Sequence, residues 1–152
     1  MWTDLHGLHG YEAIGLATRA ADVPVTGSAS YSGQILGSSP EDHTDFGVTI
    51  TGSINLTFDF GLGSLSGNVS PVLEQSLVAY PLDVVSFRDT LYSKGSTTFS
   101  GKFDTNLPGL NSFSGLFTGP NAQELIGNFA LPYRSPLDGQ TYQSDGAFVG
   151  AR

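Results

Sequence analysis

The sequence predicts an all-β fold: an eight-stranded antiparallel up-and-down β-barrel with a short N-terminal extension. Three observations predict it. Residues 54–60 alternate strictly, with Ile54, Leu56, Phe58 and Phe60 on one face and Asn55, Thr57 and Asp59 on the other, the period of a half-buried strand. Glycine makes up 20 of the 152 residues and is dispersed among Ser, Thr, Phe, Tyr and Val without a fixed period, a β-rich mixture rather than a collagenous or disordered one. Finally, an apolar residue followed by Ser and Gly recurs at Tyr31-Ser32-Gly33, Leu65-Ser66-Gly67 and Phe99-Ser100-Gly101, each 34 residues after the last. Further copies stand at Phe113-Ser114-Gly115 and, more loosely, Leu125-Ile126-Gly127. In each copy the large residue and the glycine share a face, so the strand can coil tightly while an aromatic neighbour covers the gap. Recurrence at hairpin spacing favours an up-and-down barrel over a sandwich.

Taken in order, residues 1–20 form an N-terminal segment with a further short strand admitted at 11–18, and residues 21–152 form the barrel. Its strands are expected at 26–36, 47–60, 63–70, 83–92, 95–104, 111–118, 124–131 and 145–151. Gly61-Leu62-Gly63 joins the second and third as a hairpin. Eight strands give an interior that side chains just fill, or that holds one small ligand. The long connections are 37–46, 71–82 and 132–144. Within the second, Ser70 as N-cap and Pro71 at the first helical position suit a short helix over 71–80, with an irregular loop as an equal alternative.

Composition excludes several functions. No cysteine is present, which removes disulfides, thiolate nucleophiles and Cys-ligated metal sites. Six basic residues stand against fourteen acids, a net charge of −8, so nucleic acid and anionic membranes are poor partners. Residues 1–26 do not read as a signal peptide, and no run approaches the ~20 apolar residues of a membrane-spanning helix.

Catalytic motifs are missing: the sequence has no G-x-S-x-G elbow, P-loop or dinucleotide fingerprint. The chain is read as a non-enzyme without a cofactor. The residues left for a metal or haem are His6 and His9, three apart, and His43 in an acidic loop. Gly7 and Gly10 disfavour the helical turn that would bring the first two together. Tyr80, Tyr92, Tyr133 and Tyr142 lie in or beside connections, where an exposed tyrosine offers contact area and a hydrogen bond to a partner.

The segment from Phe113 to Phe129, FSGLFTGPNAQELIGNF, resembles the hallmark of the C-terminal β-barrel domain of transferrin-binding-protein-B-like proteins, G-x-F-Y-G-P-x-A-x-E-x-x-G-x-F. Gly115, Phe117, Gly119, Pro120, Ala122, Glu124, Gly127 and Phe129 match, and Thr118 replaces the usual Tyr. Residues 21–33 are similar to the family's first barrel strand and residues 146–152 to its last. Gly119, Pro120, Asn121, Ala122, Glu124 and Gly127 are assigned a structural role. Pro120 fixes φ at the first central turn position, Asn121 tolerates the second, and Glu124 is expected to cap turn amides.

The resemblance implies a bacterial protein at the cell surface or outer membrane, or outside the cell, that captures a nutrient, an iron source or a host protein and feeds an outer-membrane receptor. Relatives take transferrin, lactoferrin, haem or complement regulators. The sequence has neither a lipobox cysteine nor a counterpart of the larger members' handle domain, so the resemblance covers the barrel alone. Two alternatives accompany it: a small-ligand carrier holding haem or a metal chelate in the barrel mouth or by His6, His9 or His43, and a passive structural or secretion module.

Overall fold

The computed structural model describes residues 2–4, 11–41 and 48–152. Two short strands, β1 (Trp2–Asp4) and β2 (Tyr11–Ala13), pair with each other. There follow β3 (Ser28–Ser39), β4 (Val48–Asp59), β5 (Ser64–Gln75), β6 (Val78–Pro81), β7 (Val85–Leu91), β8 (Thr98–Phe103), β9 (Ser112–Thr118), β10 (Glu124–Arg134) and β11 (Thr141–Ala151). All pairings are antiparallel, and eight strands close a ring in the order β3-β4-β5-β7-β8-β9-β10-β11. The register Ser32↔Ala151 through Ser38↔Asp145 brings the last strand back to the first. The all-β up-and-down barrel is therefore the observed fold.

The alternation that marks the strands also fills the interior. Tyr31, Ile50, Ile54, Leu56, Phe58, Phe103, Phe117, Leu125 and Phe148 are fully buried. Ser30, Ser32, Asn55 and Thr57 form hydrogen-bonded pairs on the exposed wall. Where two Phe-Ser-Gly copies meet, the pairing is reciprocal: Phe99 lies opposite Gly115 and Gly101 opposite Phe113. A Cβ on Gly115 would lie 2.5 Å from the tip of the Phe99 ring, and one on Gly101 2.6 Å from that of Phe113. Large and small residues thus interlock across neighbouring strands, and the space that could have been a cavity is packed with rings.

Two expectations need correction. The stretch 71–80 is not a helix. It alternates, with Pro71 and Leu73 inward and Glu74 outward, and β5 runs on to Gln75 before turning into β6. Pro71 is tolerated there because its carbonyl accepts from Leu82 N–H at 2.9 Å, so its missing N–H faces the same side, the break between β6 and β7. The N-terminal strand at 11–18 is reduced to Tyr11–Ala13 plus one bridge, Ala17 to Thr118.

Candidate functional site

An even number of up-and-down strands sends successive connections to alternating ends, and the two ends differ. At one end lie the connections after β4, β7 and β9. That end is sealed by rings around Phe58, whose centroid is 4.8 Å from Phe117 and 5.1 Å from both Tyr92 and Phe99. The Gly119–Ala122 turn belongs to this seal. Tyr31 OH donates to Ala122 O at 2.5 Å, Thr18 Oγ1 to Gly119 O at 2.7 Å, and Arg152 Nη2 to Asn121 O. Asn121 and Ala122 both take the left-handed conformation, φ 55° each. Glu124 is exposed and makes no hydrogen bond to the turn amides among the described residues, so the expected cap is absent; Gly119 N–H donates to Leu16 O at 3.1 Å instead, and the side-chain tethers hold the turn by its carbonyls.

The other end carries the departure of β3 at Ser39, the β5–β6 hairpin with residues 82–84, the 104–111 connection and the 135–140 loop. One polar cluster ties two of them. Glu41 is 1% exposed, and its carboxyl accepts from Tyr133 OH at 2.5 Å and from Ser135 Oγ. Tyr133 OH also contacts Ser39 Oγ at 2.7 Å. Burial first, and then the hydrogen bond to Glu41, hold the Tyr133 hydroxyl far above the ordinary phenol range. Beside it Tyr142 OH donates to Asp138 Oδ2 at 2.7 Å, which pushes its pKa up to about 12. Across the same end Gln143 imitates a strand, accepting from Leu110 N–H at 2.7 Å and donating to Leu110 O at 2.9 Å.

The four tyrosines expected to be exposed are divided by this geometry. Tyr80, half-buried opposite Leu73, and Tyr133 and Tyr142 belong to the loop-bearing end, whereas Tyr92 lies in the aromatic seal of the opposite one. Tyr92 at 8% and Tyr133 at 4% exposure correct the expectation that all four are exposed: their rings complete the core. His6, His9 and His43 lie outside the described residues. Among the described residues no three His, Asp or Glu side chains group as a metal site. Sequence reasoning missed Glu41 as a buried anchor and the two-residue turn Ser76-Leu77. Neither has a local signal, because Glu41 sits in an acidic run and the turn lacks Gly and Asn.

A family model, the C-lobe and N-lobe beta barrels of Tf-binding protein B, matches residues 23–152. Among solved structures, a tryptophan-to-alanine variant of transferrin binding protein B from Haemophilus parasuis Hp5 is similar at TM-score 0.52 and 18% identity, over 89% of this chain and 28% of that one. A double tyrosine- and tryptophan-to-alanine variant of the same protein is similar at TM-score 0.51 and 21% identity, over 90% of this chain and 27% of that one. The chain therefore spans little more than a quarter of those structures. No relative matches among curated proteins.

Proposed function

We propose a function from one premise: this chain belongs to the family of the C-lobe and N-lobe beta barrels of Tf-binding protein B. It is a non-enzymatic ligand-capture module of a bacterial cell surface, and the loop-bearing end of the barrel grips a host iron-carrier protein of the transferrin type. The observation that carries this reading is the asymmetry of the ends, one sealed by rings and tethered turns, the other bearing the β5–β6 hairpin and the 104–111 and 135–140 connections. A rigid scaffold that gathers its loops at one end is a common arrangement for binding. The packed interior supports contact at the surface over carriage of a small molecule inside the barrel. The polar wall and apolar interior are the reverse of a membrane-spanning barrel, which supports a module standing off the bilayer beside a receptor rather than within it.

Surface plasmon resonance with the intact chain immobilised, and transferrin and then lactoferrin in solution, tests the reading. Saturable binding that is lost when residues 104–111 are replaced by a Gly-Ser linker, and kept when Leu62 in the opposite turn is changed to Ser, is the expected result. Binding to neither carrier would favour the passive structural module instead.

A further inference from the structure

We infer that the β5–β6 hairpin is a docking element, with Leu77 and Val78 at its tip entering an apolar socket, rimmed by basic groups, on the protein partner. The inference rests on the capture reading and names the contact that capture would use. Gln75 pairs with Val78, so only Ser76 and Leu77 make the turn, and both are left-handed, with φ 49° and 67°. A two-residue turn of this hand fits the twist of its strands and is normally built from Asn-Gly. A leucine there is strained by its own Cβ. It gains nothing from burial in return, because Leu77 is 107% exposed and Val78 49%. Folding of the barrel would be served better by Asn-Gly, so the side chain costs stability and is useful only in contact with something else. Val84 at 64% and Leu110 at 72% extend the exposed apolar surface at this end.

Charge narrows the partner. Residues 20–87 hold seven of the fourteen acids and no Lys or Arg. Glu74, opposite Ala79 on the hairpin, and Asp83 just beyond it are both exposed. A convex apolar tip flanked by carboxylates complements a concave apolar site bordered by cations, and it is repelled by an anionic bilayer.

The test compares the wild-type chain with the double variant Ser76→Asn/Leu77→Gly, which keeps the turn and removes the anchor, against transferrin and lactoferrin. The expected result is a melting temperature raised by roughly 2–4 °C together with an affinity lowered tenfold or more, mostly through faster dissociation. Glu74→Gln with Asp83→Asn should slow association and flatten its dependence on salt. Unchanged affinity in the double variant overturns the inference and leaves the capture reading standing. If the wild-type chain binds neither carrier, the capture reading fails and the inference goes with it. Leu77-dependent binding to phosphatidylglycerol vesicles would also overturn it, by replacing the protein socket with lipid.

Discussion

A methyl group added at Gly127 would place its Cβ 2.2 Å from the tip of the Phe148 ring and 2.3 Å from the Ser114 carbonyl oxygen. Neither neighbour can yield, since one is a packed core ring and the other is backbone. Gly127→Ala is expected to cost about 3 kcal/mol. Gly139→Ala, at φ +75° but with nothing within 4 Å, is expected to cost only about 1 kcal/mol of backbone strain. Urea unfolding of both variants separates crowding from strain. Glu41 is the other residue whose environment decides its effect. Glu41→Ala removes the acceptor shared by the Tyr133 and Ser135 hydroxyls and is expected to cost about 1–3 kcal/mol, because buried donors lose their partner. Glu41→Gln keeps an acceptor oxygen and should cost less than half as much by the same measurement. Equal losses would mean that the space is being filled and the hydrogen bonds are incidental.

At the scale of elements, the Gly119–Ala122 turn can be tested through its conformation. Asn121, at φ 55° and ψ 29°, tolerates the left-handed region, and Gly tolerates it better. Asn121→Gly should therefore stay within about 0.5 kcal/mol of the parent, while Asn121→Val, β-branched, should lose about 2 kcal/mol by thermal unfolding. This turn was legible in the sequence because Gly-Pro-Asn states its own geometry, and so were the strands whose two faces differ in polarity, such as 54–60. The continuation of β5 past Pro71 was not. A proline after a serine reads as a helix start, and only the break between β6 and β7 leaves its missing N–H without a waiting carbonyl. Tyr92 and Tyr133 look like loop residues because they stand at strand ends beside polar neighbours; that both point inward depends on how the ring of strands closes. The long connections were legible only in part: 132–144 shrinks to 135–140 as β10 and β11 extend, and 71–82 is largely taken up by β5 and β6. What they do, as with Glu41, depends on partners about 92 and 94 residues away in sequence.

Closing eight strands around rings also gives the whole molecule a pH dependence with a definite sign. Burial holds the hydroxyls of Tyr31, Tyr92 and Tyr133 above the ordinary phenol value of 10.0, and the hydrogen bond to Asp138 pushes Tyr142 up to about 12. Unfolded, all four would ionise near pH 10. Below that pH both states keep these protons and the stabilisation is fully present. Above it the unfolded chain gives them up while the fold retains them, so each further increment of pH favours unfolding. The urea midpoint should be insensitive to this group of tyrosines up to about pH 9.5 and should fall steadily between pH 10 and 12. Tyrosinate absorbance of the folded protein should lag behind that of the urea-unfolded chain over the same interval and catch up as the protein unfolds. Tyr142→Phe should remove one part of that slope without touching the core, because its partner Asp138 is on the loop and not in the ring. A folded protein whose absorbance rises with that of the unfolded chain would mean that the hydroxyls are open to solvent, and that the barrel is looser than the aromatic packing around Phe58 requires.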